Sequence, residues 1–394
     1  MKNSTEKIKN ISFSSWPKYS KKEVNKVKKI IETGKVNYWT GNYCTLFEKK
    51  FKLKFNLNYA ISVANGSVAL DAAVNVLKLS KRDEVLVTSR SYVSTASCLQ
   101  NTPARIRFID IDLDTQNIDI ECIKKNINSK TKLIICTHLA GWPCDVDKIK
   151  KIIGKRKIYI IEDCSQAHGA MIKNKFVGSM GDISVWSFCN DKIISTLGEG
   201  GMVSTNNKKL FEKIWALKDI GKNYRKFNYK DKNNYKFRWL HDSIGTNARM
   251  TEIQAYAGLY QLRNLNKFIY LRKKNSEYIF EQLKSIPCLK FLKTPTNTKN
   301  VYYRLNFLFD ESYNSKKLSR DIILKDMSKK INIREGSCPE IYNEKYFKEN
   351  FNFSCPNAKY VGKNSLSLQV DHTINNKNLI KMTNLLKKYL ESKL

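Results

Sequence analysis

Short apolar strands alternate with helix-patterned stretches from Tyr59 to Ile161, and this alternation constrains the fold more than any other feature of the chain. Strands are expected at residues 59–63, 84–88, 105–109, 132–136 and 157–161, with helices at 67–79 and 92–100 and further helical stretches between the later strands. Apolar runs of this length, separated by amphipathic helices, imply a mostly parallel sheet covered on both faces. An amphipathic helix is expected over 20–33, where Val24, Val27, Ile30 and Ile31 recur at helical spacing before Gly34. Two more strands, at 182–188 and 202–205, flank a polar turn, and a helix is expected over 208–220. The stretch 221–238 is polar, aromatic and basic and reads as a mobile loop. A long helical segment follows at 250–283, then a second unit of mixed strands and helices, with a strand at 301–309 and a terminal helix at 379–390. The expected architecture is α/β, with a large domain over residues 13–255 and a smaller α+β domain over 256–394.

With 394 residues the chain can bury a large core. The charge is strongly positive, 71 basic against 36 acidic residues, yet the lysines are scattered rather than gathered into a stripe with interleaved aromatics. Nucleic-acid binding is therefore a minority reading, and the positive field suits an anionic small substrate. None of the ten cysteines forms a C-x-x-C pair, so neither a zinc knuckle nor a disulfide framework is expected, and no metal site is assigned. The first ten residues lack the apolar core of a signal peptide, and no apolar run approaches a membrane span. A soluble, reducing, cytoplasmic setting is expected.

Lys192 lies in the turn between the strands at 182–188 and 202–205, at a strand end, where open α/β sheets place their ligands. A lysine there can form a Schiff base if desolvation or a neighbouring cation disfavours its ammonium form. Asp163 and Gln166 leave the end of an apolar strand expected inside the sheet, where a carboxylate needs a partner. One partner is a protonated pyridine nitrogen; capping of the following turn is the other. Gly66 permits close backbone approach, and Ser67 can cap the following helix and meet a phosphate at its positive end. Tyr92 follows another strand end and can lie flat on a planar ring. His138 and His168 read as structural histidines.

Five ordered motifs then carry a resemblance. Val63-Ala-Asn-Gly-Ser-Val-Ala-Leu70, His138-Leu-Ala-Gly-Trp-Pro-Cys-Asp-Val-Asp147, Glu162-Asp-Cys-Ser-Gln-Ala-His-Gly-Ala170, Ser187-Phe188 with Lys192 and Gly198-Glu-Gly-Gly201, and Asn247-Ala-Arg-Met-Thr-Glu-Ile-Gln254 resemble the DegT/DnrJ/EryC1/StrS sugar aminotransferases. The resemblance implies the aspartate aminotransferase type of fold, that is, fold type I of the pyridoxal phosphate enzymes. It further implies a homodimer with shared active sites and the cofactor pyridoxal 5'-phosphate, with its pyridoxamine form as intermediate. Lys192 would be the Schiff-base lysine and Asp163 the partner of the pyridine nitrogen. Gln166 would contact the ring hydroxyl, Tyr92 would stack, and Gly66, Ser67 and Ser187 would hold the phosphate. Asn247 would reach the phosphate of the neighbouring subunit. Arg334 and His241 are candidates for the substrate, and basic residues of 221–238, with Arg334, for a diphosphate. Two departures stand out: the Lys192 to Glu199 spacing is one residue longer than the family's commonest, and Cys189-Asn190-Asp191 falls where members vary, so Asp191 is given no role. The implied reaction moves an amino group from glutamate to a nucleotide-linked keto sugar, 4-keto favoured over 3-keto, for a surface polysaccharide or glycoconjugate. The alternatives are a sugar dehydratase using the same cofactor, disfavoured because that branch replaces the lysine with histidine, and a cofactor-free regulatory or binding protein.

Overall fold

The computed structural model describes residues 13–228, 237–350 and 353–394. Two helices, α1 (Lys21–Glu32) and α2 (Tyr43–Lys54), precede the first strand. Then come β1 (Tyr59–Val63), α3 (Gly66–Asn75), β2 (Glu84–Thr88), α4 (Ser94–Ser97), β3 (Arg105–Ile109), α5 (Ile120–Asn126), β4 (Thr131–Thr137), α6 (Val146–Ile153) and β5 (Tyr159–Asp163). A small hairpin, β6 (Met171–Ile172) and β7 (Lys175–Phe176), leads to β8 (Ile183–Ser187) and β9 (Gly201–Thr205). The helices α7 (Lys208–Lys218), α8 (Tyr224–Asn228) and the 32-residue α9 (Glu252–Leu283) follow.

The main sheet runs β1-β9-β8-β5-β4-β2-β3, and only β9 is antiparallel to its neighbours. Strands β2, β8 and β9 are buried along their whole length, and their polar positions are mostly small hydroxyl side chains. One face packs Phe47 and Phe51 of α2 and its C-cap Phe55 against Trp186 and Ile134; the other packs Leu70, Val74 and Ile214 against Val85, Ile135 and Val185. Each fully buried phenylalanine contributes about 1.5–3 kcal/mol.

The second sheet, β10 (Leu289–Phe291), β12 (Leu305–Phe309), β14 (Ser365–Leu368) and β13 (Ile333–Arg334), is antiparallel in the order β10-β12-β14-β13. The short β11 (Thr298–Lys299) pairs instead with β6. With α10 (Arg320–Met327), α11 (Lys345–Asn350), α12 (Pro356–Asn364) and α13 (Asn376–Glu391) this forms an α+β arrangement. Its core contains Phe307, Phe309, Leu386 and the N-terminal Phe13. At about 1.5 Å per residue α9 is about 48 Å long, and it joins both arrangements: Leu259, Leu262 and Leu265 enter the first core, Ile279 and Leu283 the second.

Four local expectations need correction. The helix expected at 92–100 shrinks to Ser94–Ser97, within a run of turns. The strand expected over 301–309 begins only at Leu305, because residues 301–303 instead bond to Ala140 and Gly141 of the main-sheet unit. The N-cap of α3 is Asn65, whose Oδ1 accepts from Val68 N at 2.9 Å, so Ser67 lies in the first turn rather than at the cap. The stretch expected to be a mobile loop contains α8 and a bridge between Lys222 and His241; its residues 229–236 lie outside the described residues.

Candidate active site

A cavity of about 570 Å³ opens at the carboxyl ends of the parallel strands, bounded on its far side by the second sheet. Gly66, Ser67, Tyr92, Asp163, Gln166, Ser187, Lys192 and Arg334 all line it, so residues read separately from five stretches of sequence meet in one place. Asn247 and His241 do not line it; both are exposed, and His241 Nδ1 lies 2.8 Å from the Ile220 carbonyl. The described basic residues of 221–238 are also elsewhere, with Lys222 paired to Asp219, Arg225 to Glu212 and Lys226 to Asp242.

The first turn of α3 forms an anion cradle. Its leading amides have no partner within the helix, and Ser67 and the Ser187 hydroxyl border the same space. Gly66 is needed there for closeness: a Cβ at this position would stand 2.6 Å from Ser187 Cβ. Gly201 works similarly, since its Cβ would stand 2.3 Å from the Asn65 carbonyl oxygen.

Asp163 ends β5, between β4 and β8, and is buried. Its Oδ1 accepts from Ser165 N at 3.1 Å and its Oδ2 from Thr95 Oγ1 at 2.8 Å. Because Thr95 donates to the carboxylate, Ser91 must donate to Thr95 (2.9 Å) and Thr137 to Ser91 (3.1 Å). This buried chain of hydroxyls orients the carboxylate, and nothing in the motif spacing exposed it. Gln166 Oε1 accepts from Ala140 N at 2.8 Å, which leaves the NH₂ as its donor end. Tyr92 is 65% exposed at the mouth.

Lys192 is fixed through its carbonyl, which accepts from Trp16 Nε1 at 2.9 Å. Its side chain is largely buried, 3.8 Å from Asp191 Oδ1 and 5.1 Å from the centre of the Tyr303 ring. The condition that desolvation should disfavour its ammonium is met only in part by burial and is outweighed in sum. Burial does push its pKa down, but Tyr303, Asp191 and Asp163 outweigh it, and the net direction is up. Burial likewise works against the charge on Asp191, yet Lys192 and the Tyr303 hydroxyl hold its carboxyl below the usual range. In the loop from Lys192 to Glu199, Leu197 and Gly198 both adopt positive φ and Thr196 Oγ1 donates to the Glu199 carbonyl at 2.6 Å. The same carbonyl accepts from Gln254 in the capping box of α9. Sequence reading missed Asp191, Tyr303, Arg304 and Asn306 in this cavity. Three of them come from a segment more than 100 residues beyond the lysine, with no motif of their own.

The two histidines are structural. His168 is buried near Trp186 and Phe188, and burial, followed by the Lys192 ammonium, lowers its pKa to about 3. His138 accepts from Cys144 N at Nδ1, so its Nε2 donates to Glu162 at 3.0 Å. Glu162 also accepts from the amides of Gly178, Met180 and Gly181. Burial opposes its charge, but His138 and these amides hold the carboxyl below the usual range. His138, Glu162 and Cys164 cluster closely enough to be considered for a metal, but the histidine and carboxylate are already committed to these bonds.

These residues fit pyridoxal phosphate. The Gly66 cradle would take a phosphate, Asp163 would face a ring nitrogen, Gln166 would offer a donor, and Lys192 would offer the amine. A lysine and a carboxylate so placed on this sheet define a pyridoxal phosphate-dependent aminotransferase of fold type I. The GDP-perosamine synthase of Escherichia coli O157:H7 is 32% identical over 340 residues, covering 86% of this chain and 88% of that protein. The solved aminotransferase of Psychrobacter cryohalolentis is 37% identical with a TM-score of 0.93, covering 97% of this chain and 100% of that one. The GDP-4-keto-6-deoxy-D-mannose-3-dehydratase of E. coli, solved with bound hydrated pyridoxal phosphate, is 26% identical with a TM-score of 0.83 over 96% and 99% of the two chains. The chain belongs to the DegT/DnrJ/EryC1/StrS aminotransferase family, whose model matches residues 17–387, and it is a sugar aminotransferase.

Proposed function

We propose that the enzyme moves an amino group from glutamate to a nucleotide-linked keto sugar, a 4-keto hexose in preference to a 3-keto one, in the synthesis of a surface polysaccharide such as O-antigen or capsule. The observation that carries this reading is the cavity itself, lined by Lys192 and Asp163 together with Arg304 and Arg334, a set that suits an anionic sugar nucleotide. Relatives named GDP-perosamine synthase and dTDP-3-amino-3,6-dideoxy-alpha-D-galactopyranose transaminase support a nucleotide sugar. The Lys192-Ile-Ile-Ser-Thr196 and Gly198-Glu-Gly-Gly201 wording supports the 4-keto class. Lys192 supports amino transfer over elimination, since the dehydratase branch carries histidine in its place.

Pyridoxal phosphate held here would supply an electron sink and an amino-group carrier. Gly66, Ser67 and Ser187 would hold its phosphate, and Gln166 would donate to the ring hydroxyl. Asp163, oriented by Thr95, would keep a proton on the ring nitrogen. Lys192 Nζ moves the proton to and from the substrate carbon as general base and acid. Tyr92 covers the ring and limits the access of water.

A second copy of the chain is part of this reading, with Asn247 reaching the partner's phosphate site. Phe237, Trp239 and Ile244, all strongly exposed near Asn247 in sequence, support a covered surface there. No helix of the described residues is long and apolar enough to cross a membrane, and the proposed setting is cytoplasmic. The division into units at residues 255 and 256 is proposed because α9, which begins at Glu252, is the element shared by both cores.

The test has two parts. Sodium borohydride treatment of the cofactor-loaded protein should fix a pyridoxyl label on Lys192 and leave none on Lys192→Ala. A panel of nucleotide-linked keto sugars should then consume glutamate one for one with amino-sugar formed. A deoxygenated keto sugar carrying no amino group, with the nitrogen of the consumed glutamate released as ammonia, would replace transfer by elimination, and a label on another side chain, or on none, would sink the assignment.

A further inference from the structure

We infer that Asp191, held by the phenol of Tyr303, is a positioning residue that keeps the Lys192 amine in its protonated, proton-donating form between transfers. The geometry divides the carboxylate between two partners. Tyr303 Oη donates to Asp191 Oδ2, while Oδ1 faces Lys192 Nζ at 3.8 Å. The phenol therefore takes one oxygen and directs the other at the ammonium, and the lysine also lies over the Tyr303 ring at 5.1 Å.

Tyr303 is itself held in place. Its amide donates to the Ala140 carbonyl at 3.1 Å, and its carbonyl accepts from Arg272 Nη1 at 3.1 Å, a guanidinium buried in the structure. Ala140 sits at positive φ, and next to it Gly141 leaves no room for a side chain: a Cβ there would stand 2.8 Å from Asn300 Oδ1 and 2.9 Å from Tyr302 N. The segment carrying the phenol is thus clamped to the loop that also positions Gln166. Asp191, half exposed on its own loop, gains from Tyr303 the fixed direction that the loop alone does not give it.

The other charged or titratable groups facing Lys192 come from three places. Asp163 ends β5, Cys189 lies on the lysine's own loop, and His168 follows β5. Arg304, next to Tyr303, acts on Asp191. Burial of Lys192 works against its charge; Tyr303, Asp191 and Asp163 oppose that, and Asp191 is the only one of the three that also belongs to the lysine loop. A lysine that returns a proton to a substrate carbon must hold that proton in a desolvated cavity, and an adjacent carboxylate supplies the reason it stays.

The inference rests on Lys192 being the reactive amine of the proposed function, and its test reads that amine without substrate. Cofactor-free protein is labelled briefly with an acylating reagent across a pH series, and the Lys192 peptide is quantified by mass spectrometry, with the Lys28 and Lys345 peptides as internal references. In Asp191→Asn the labelling midpoint of Lys192 should fall by about 1 pH unit, so that labelling below both midpoints is about ten-fold faster. Tyr303→Phe should shift it the same way, and the reference lysines should not move. An unchanged Lys192 midpoint in Asp191→Asn overturns the inference. So does an equal shift at Lys28 and Lys345, which would report general loosening. Neither result bears on which sugar is aminated, so failure here leaves the substrate reading standing.

Discussion

Gly66→Ala isolates the phosphate cradle from the rest of the site. The added methyl would lie 2.6 Å from Ser187 Cβ and 3.2 Å from Ser187 Cα, well inside van der Waals contact, and one of those atoms is backbone. The start of α3 cannot slip sideways to relieve this, because the Asn65 carbonyl already occupies the space where Gly201 would carry a side chain. The first turn must therefore lift away from β8, at a strain of about 1–3 kcal/mol. Lifting it separates the amides of α3 from the Ser187 hydroxyl, so a phosphate held by both sides keeps only one. Loss of one charge-assisted hydrogen bond is worth about 1.5–3 kcal/mol, or about 10- to 100-fold in affinity. Titration of cofactor-free protein with pyridoxal phosphate, followed by absorbance, should show that weakening, and the cofactor-free variant should melt at a lower temperature. Wild-type affinity in Gly66→Ala, with an unchanged melt, would refute the cradle.

Two further predictions concern buried charge. Glu162→Gln turns an acceptor of three amides and an imidazole into a group with a competing NH₂, and should cost about 3–5 kcal/mol in denaturant unfolding. Because the folded pKa of Glu162 is depressed, the stability it provides is present above the unfolded carboxyl value and is lost as pH falls through the folded one. The acid limb of the wild-type stability curve should accordingly be steeper than that of the variant. His168 is also depressed, from 6.5 to about 3, so it adds no penalty above pH 6.5 and destabilises the fold as pH drops toward 3. Replacing it by phenylalanine should remove about 1.4 kcal/mol per pH unit of that loss, read as urea midpoints at pH 7 and pH 5. Parallel curves for the two proteins would contradict a neutral His168.

The elements legible in the sequence are those whose pattern is imposed by burial. Strands β2, β4 and β5 are readable because a parallel strand covered on both faces needs a nearly unbroken apolar run, and Lys192 because two buried strands, β8 and β9, bracket it. What escaped depends on long-range geometry. Val301 to Arg304 is as apolar and aromatic as a strand, yet it is drawn away to Ala140 and Gly141, 160 residues earlier in the chain. Asn65 rather than Ser67 caps α3, and either side chain has the chemistry to do so. Asp191 looks like one more charge beside a lysine until Tyr303 is brought to it. The hydroxyl chain from Thr137 to Thr95 joins residues of β4 and of the segment after β2, and only the strand order β5-β4-β2 makes them neighbours.

The N-terminus of α2 is capped from far along the chain, with the Glu252 carboxylate accepting the amides of Tyr43 at 2.6 Å and Cys44 at 2.9 Å, and Phe47 packed on Gly258 of α9. During synthesis the ribosome releases α2 long before α9 exists. Some 200 residues separate them, and at about 5–20 residues per second the interval is on the order of 10–40 s. Throughout that time the aromatic face of α2 lacks its final cover, and the nascent chain depends on delayed docking or on a chaperone to keep it from sticking elsewhere.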